Sequence, residues 1–176
     1  SHMKLALKQL KCAMESRKNR KKYSGTGGIN NGWDEAITID CGEAGAVLRF
    51  MAFRVSREVG SFKLVGSQRL LSRPHAEMMK MLKPLGVEVA IHKNEPDQAD
   101  HIFIKSDGWK KPNGLIEVTR ETSSQFASAL LLNSWDLPFD LPLAVVPGLS
   151  ESYFQLSIEL LENRGLEIQR EGNIWK

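Results

Sequence analysis

The feature that most restricts the fold is a pattern written twice. In each copy a helix-like run stops at a glycine and an extended run follows: Leu85-Gly-Val-Glu-Val89 first, Arg164-Gly-Leu-Glu-Ile168 second. The two junctions lie about 80 residues apart, the kind of period that marks a repeated supersecondary unit. The segments before them fall in the same order. In the first copy Ala36-Ile-Thr-Ile39 predicts a strand, and 42 to about 59 predicts a helix with Val47, Leu48, Met51 and Val55 at helical spacing and Gly60 as terminator. Phe62-Lys-Leu-Val65 predicts a strand. A helix over 74–85 then places Met78, Met81, Leu82 and Leu85 on one face, although Pro84 is awkward in a last turn. Val87-Glu-Val-Ala-Ile91 and His101-Ile-Phe-Ile104 predict a hairpin joined through Asn94-Glu-Pro-Asp-Gln98.

The second copy repeats the order. Leu115-Ile-Glu-Val-Thr119 predicts a strand, 123–133 a helix, and 141–146 a strand. A helix over 153–163 has Leu156, Leu160 and Leu161 inward, and Leu166-Glu-Ile168 with Asn173-Ile-Trp175 predicts the closing hairpin. Each copy therefore reads β-α-β-α-β-β, an α/β (α+β) chain. Neither copy has enough apolar residues to close a core alone, so the two are expected to pack on each other.

The expected division follows. Residues 1–3, Ser1-His2-Met3, are the scar of an expression tag. Residues 4–33 hold a helix over 4–14, with Leu5, Leu7, Leu10 and Met14, and a basic, glycine-rich join; together they resemble the tail of a truncated first unit. Residues 34–110 form one complete unit and 111–176 a second, all in one compact domain.

Composition adds mainly exclusions. The 176 residues hold 41% hydrophobic and 26% charged residues, with a net charge of +3, ordinary for a globular chain and compatible with anionic substrates. No apolar run approaches the roughly 18–20 residues of a membrane span. Cys12 and Cys41 are the only cysteines, without the CxxC spacing of a zinc site or a disulfide framework, which suits a reducing cytoplasm. No metal-ligand spacing and no Ser/His/Asp arrangement stands out. The basic run Ser16-Arg-Lys-Asn-Arg-Lys-Lys22 lacks interleaved aromatics, so a solvated loop explains it better than a nucleic-acid patch.

The chemistry concentrates where strands pass into helices. Gly42-Glu-Ala-Gly-Ala46, followed by Arg49, brings backbone N–H groups to a helix start, where an anion is favoured; a plain tight turn explains it equally. Gly66-Ser-Gln-Arg-Leu-Leu-Ser-Arg-Pro74 puts two arginines before a helix, where the macrodipole disfavours cations. Either a bound carboxylate or phosphate or a surface ion pair with a glutamate would offset that. Ser123-Ser-Gln125 offers one serine and one glutamine more than a cap requires, and Pro147-Gly-Leu-Ser-Glu-Ser-Tyr153 again sets hydroxyls at a junction. Anion binding across several helix N-termini is the common factor.

Together, Gly42-Glu-Ala-Gly-Ala-Val-Leu-Arg49, the run from Gly66 to Arg73-Pro74, Ser123-Ser-Gln-Phe126 and Ser150-Glu-Ser-Tyr153 resemble the 5-enolpyruvylshikimate-3-phosphate synthase family, the 3-phosphoshikimate 1-carboxyvinyltransferases. The likeness runs from about Lys4 to the C-terminus, in the family's order. It implies the enolpyruvyl transferase fold, an inside-out α/β barrel in which each of two domains is built of three such units and substrates are held between the domains. This chain would be a fragment of the first domain. The implied reaction is transfer of the enolpyruvyl group of phosphoenolpyruvate to the 5-hydroxyl of shikimate 3-phosphate, in the shikimate pathway to chorismate and the aromatic amino acids.

The resemblance implies that Ser123, Ser124, Gln125, Ser150 and Tyr153 bind shikimate 3-phosphate, the serines holding its phosphate. It implies that Gly45, Arg73 and Gln125 bind phosphoenolpyruvate, in the pocket where glyphosate binds. No cofactor, metal, nucleic acid or membrane is implied; the partner is the enzyme's second domain and the compartment the cytoplasm. The sequence departs from the family pattern at Glu43, Ala46 and Glu151-Ser152, where Asn, Thr and Lys-Pro are usual. The family's catalytic Asp, Glu and Lys groups belong to the second domain and its Lys-Ser motif precedes Ser1, so this chain has no catalytic residue of its own and is expected not to turn over alone. UDP-N-acetylglucosamine enolpyruvyl transferase shares the Arg-Pro motif and is the alternative. A noncatalytic anion- or nucleic-acid-binding module using 17–22 is the alternative from another class.

Overall fold

The computed structural model describes residues 3–6, 8, 36–93, 100–120, 123–148 and 151–176. Residues 3–6 and 8 are helical. The rest of the expected 4–14 helix, Cys12, the 16–22 basic run, the glycine-rich join, the 94–98 connection and Ser150 lie outside the described residues.

Strand β1 (Ile37–Asp40) is followed by α1 (Gly45–Ser56) and returns as β2 (Val59–Val65), parallel to β1 with Ile37 opposite Phe62. Two helices follow, α2 (Gln68–Leu71) and α3 (Ala76–Leu82), then strands β3 (Glu88–His92) and β4 (His101–Asp107). Strand β4 lies antiparallel between β2 and β3, giving the order β1-β2-β4-β3. The chain then makes β5 (Ile116–Val118), α4 (Ser124–Leu132), β6 (Leu143–Val145), α5 (Glu151–Glu162), β7 (Arg170–Glu171) and β8 (Ile174–Trp175). Its sheet has the order β5-β6-β8-β7, again with one parallel pair, β5 with β6. Each strand number is that of the first sheet advanced by four.

Side-chain orientation follows from the alternation. In β4, Ile102 and Ile104 enter the core while Lys105 and Asp107 face solvent. Helix α1 buries Val47, Leu48, Met51, Phe53 and Val55, and packs on α4, which packs on α5. One core runs through both halves, with Phe53, Phe62, Phe126 and Phe154 fully enclosed. Among the described residues no helix is long and apolar enough to cross a membrane, and no cluster of His, Cys, Asp and Glu is grouped to hold a metal ion.

Several boundaries differ from the sequence reading, each for a local reason. Gly42 has φ 59 and its N–H donates to Asp40 Oδ1 at 2.8 Å, so a turn occupies 41–44 and the helix starts at Gly45. Gly60, expected as a terminator, lies inside β2 with φ 140. The expected 74–85 helix is shorter. It starts at Ala76 and tightens into a 3-10 turn at Lys83–Leu85, because Pro84 has no N–H to continue the ladder, and Gly86 closes it in the left-handed region at φ 79. A short helix not anticipated between β2 and α3, capped by Ser67 Oγ accepting from Leu70 N, forms at Gln68–Leu71. In α5 the inward residues are Phe154, Ser157, Ile158 and Leu161, whereas Leu156 and Leu160 are exposed. Leu166-Glu-Ile168 joins no ladder; the pairing starts later, around a turn at Gly172 with φ 61.

Candidate functional site

The site is prepared by how α1 and α4 lie. Arg49 of α1 reaches Gln125, and Arg57 just beyond α1 reaches the Asn133 carbonyl at the end of α4; each partner is 76 residues ahead. A constant offset along two helices means that they run side by side in the same direction. Their N-termini therefore open at one end of the molecule, beyond the C-terminal ends of the parallel pairs β1–β2 and β5–β6. That is where ligands gather in sheets with parallel strands, and two helix starts there favour negative charge.

Arg49 is the joint between the two halves. Its Nη1 donates to Gln125 Oε1 at 2.6 Å and to Ser123 Oγ at 3.2 Å, while its guanidinium lies 4.7 Å over the Phe126 ring. Ser123 is the N-cap of α4, and its Oγ also accepts from Gln125 N at 3.2 Å. Ser124 is the first residue of that helix and is buried. Gln125 is thus held at both ends, by its own backbone on Ser123 and by its side chain on Arg49.

The other two helix entries close around Arg73. Gly66 and Gly42 meet backbone to backbone, and Ser67 N donates to Gly42 O at 2.9 Å. This clamp sets the loop that carries Arg73, which lies past the end of α2 rather than at the opening of a helix. Gly45 makes room for it: a Cβ there would stand 2.6 Å from Arg73 Nη1. Among the described residues Arg73 forms no ion pair, so the glutamate partner considered above is absent there.

Two guanidinium groups, Arg49 and Arg73, make the site electropositive, and the charge of Arg49 reaches the buried imidazole of His75. Burial lowers the Arg49 pKa from its ordinary value, and the neighbouring Arg73 charge lowers it further, with Glu77 opposing. His75 is 3% exposed, and among the described residues neither ring nitrogen has a hydrogen-bond partner. Burial, then the charges of Arg49 and Lys93, push its pKa from 6.5 down to about 4, against a weaker upward pull from the carbonyls of Leu70 and Leu71. Between those values the unfolded chain takes up a proton that the folded chain refuses. Stability is therefore complete above pH 6.5 and falls as the pH drops toward 4. In urea titrations from pH 7 to 4.5, His75→Gln is expected to remove about 2 kcal/mol of that pH dependence; an unchanged slope would clear His75 of the effect.

The structure thus brings Ser123 and Gln125 onto Arg49 and Gly45 against Arg73, whose charge is felt at Arg49, while Ser124 is buried. Tyr153, in the first turn of α5, is 70% exposed and is not brought into this group. Glu43 and Ala46 are exposed. Cys41 is buried, with its thiol pushed up to about 12 by burial and by Asp40, which leaves it unreactive. Arg49 and His75 were not among the residues expected to form the site. The available signal for Arg49 was its position one turn after Gly45, on the same helix face.

The family model of EPSP synthase (3-phosphoshikimate 1-carboxyvinyltransferase) matches residues 1–176. A 3-phosphoshikimate 1-carboxyvinyltransferase of Shewanella pealeana is 29% identical over 171 residues, covering 96% of this chain and 39% of the relative. One of Shewanella halifaxensis is 31% identical over 144 residues, covering 81% and 32%. The solved EPSP synthase of Acinetobacter baumannii superposes with a TM-score of 0.57 at 17% identity, over 81% of this chain and 30% of that one, which shows a shared fold. The chain spans well under half the length of these relatives. With its repeated α/β units and its full-length match, the chain belongs to the EPSP synthase (3-phosphoshikimate 1-carboxyvinyltransferase) family.

Proposed function

We propose that this chain forms one wall of the substrate cleft of a 3-phosphoshikimate 1-carboxyvinyltransferase in the shikimate pathway. The observation that carries this is the Arg49 bridge, which holds Ser123 and Gln125 of one half beside Arg73 and Gly45 of the other. Shikimate 3-phosphate would lay its phosphate on Ser123, Ser124 and Ser150 at the starts of α4 and α5, with Tyr153 along its ring. Phosphoenolpyruvate would lie between Gly45 and Arg73, and Gln125 would touch both. Glyphosate would compete with phosphoenolpyruvate there.

In that reaction the 5-hydroxyl adds to C2 of the enol phosphate while C3 takes up a proton, and loss of a C3 proton then expels inorganic phosphate and leaves the enol ether. These residues would orient two anions and hold their charge at short range, which a cluster of guanidinium groups and helix N-termini does without reorganising. Proton transfer would come from groups on a second domain closing over the cleft. A cytoplasmic enzyme without metal or organic cofactor fits this chemistry.

Calorimetric titration with shikimate 3-phosphate and with UDP-N-acetylglucosamine tests the assignment. Heat is expected with the first and none with the second, and the reverse result would move the chain to the sugar-nucleotide enzymes. With shikimate 3-phosphate and phosphoenolpyruvate both present, phosphate release by the isolated chain is expected to stay at background. Clear turnover would show that it holds its own acid and base.

A further inference from the structure

Arg120 is the largest fully buried side chain after β5, at 2% exposure. A guanidinium has five N–H donors, and burying one demands partners for them. Arg120 has few. Its Nη2 donates to Val146 O at 3.4 Å, a long bond, and among the described residues its Nε has no partner. Its Nη1 lies 2.5 Å from Glu151 Oε2 as an ion pair without hydrogen-bond alignment. One face is stacked 4.6 Å from the Phe154 ring centre.

Its place joins both serine-bearing junctions. Arg120 lies three residues before the Ser123 cap, and Gly148, at the end of the next strand's exit, packs against it: a Cβ on Gly148 would stand 2.9 Å from Arg120 Cβ. The Glu151 that pairs with it sits in the first turn of α5 and is 65% exposed. A mostly solvated carboxylate is thus the only anion on a desolvated, under-partnered cation, among the described residues. Glu151 also has an alternative home, because the start of α5 favours a carboxylate whether or not it touches Arg120.

We propose that Arg120 is a further anion-binding cation of this cleft, capped in the free protein by Glu151, and that an incoming phosphate displaces the Glu151 carboxylate from it. Glu151 is then an internal competitor that sets how tightly a phosphorylated substrate is held. This deepens the phosphate assignment made above and rests on it only for the identity of the substrate, since inorganic phosphate carries the same displacing group.

The test is a titration of inorganic phosphate and of shikimate 3-phosphate into the chain and its Glu151→Gln variant, read by NMR at the Arg120 Nε–H resonance. Removing the competing charge at an exposed position is expected to raise phosphate affinity three- to tenfold, and phosphate is expected to shift the Arg120 Nε–H signal in both proteins. Unchanged or weaker phosphate binding by the variant, or an Arg120 signal that never moves, would make the pair a plain structural tie and overturn the proposal. If shikimate 3-phosphate fails to bind while the variant still gains phosphate affinity, the cap stands and the substrate assignment falls. If shikimate 3-phosphate binds and the variant gains nothing, the cap falls alone.

Discussion

Replacing Gly66 with alanine is expected to lower the unfolding free energy by about 3 kcal/mol and to weaken ligand binding at the same time. A Cβ on Gly66 would meet Gly42 O at 2.7 Å and a Leu70 methyl at 3.0 Å. The first contact is with backbone, which cannot turn aside as a side chain can. The Gly42 carbonyl is moreover the acceptor for Ser67 N, so pushing it away also strains the cap of α2. The loop that would move carries Arg73 to Gly45. Urea unfolding measures the first effect and phosphoenolpyruvate titration the second. A variant as stable as the parent would mean that the 41–44 turn yields easily, and that the clamp between the two loops is not what positions Arg73. At Gly45 the corresponding clash is with the end of a flexible side chain, so substitution there should spare stability and move only the guanidinium.

The contrast explains what could be read from the sequence. The two sheets' common order follows from the repeated strand–helix rhythm, because short hydrophobic runs of period two and amphipathic runs of period 3.6 survive in the residue types themselves. Of the residues singled out at the junctions, Ser123 and Gln125 share the Arg49 guanidinium, and Gly45 faces that of Arg73. What periodicity does not contain is which face of a helix finds a partner. Leu156 and Leu160 of α5 satisfy a helical spacing as well as Phe154, Ile158 and Leu161 do, yet only the second set turns to the core. Nor does local spacing reveal a contact between positions 76 residues apart, so Arg49 looked like the end of a motif and not the link between halves. Pro84 shows the opposite case: its missing N–H was legible, and the helix does tighten at that point.

Arg49→Ala is expected to reduce affinity for shikimate 3-phosphate about 100-fold, equivalent to the two charge-assisted hydrogen bonds it makes, less what water restores at a half-buried site. The loss would come through placement: without the bridge, Gln125 Oε1 has no fixed donor and Ser123 Oγ keeps only its cap. Arg49→Lys separates charge from placement. An ammonium keeps the positive field but cannot serve both acceptors with the planar fork of a guanidinium, so it is expected to recover only a minor part of the affinity. Arg57 provides the control at the other end of the same helix pair. It donates to Asn133 O at 2.6 Å, pairs with Asp136, and lies 5.5 Å over the Trp109 ring, far from every junction. Arg57→Ala should therefore lower stability by about 1–2 kcal/mol while changing ligand affinity less than twofold. If the two alanine variants lost affinity equally, helix registry alone would account for binding, and Arg49 would have no particular part in the cleft. If lysine restored full affinity, net charge would suffice and the bridge to Gln125 would be incidental.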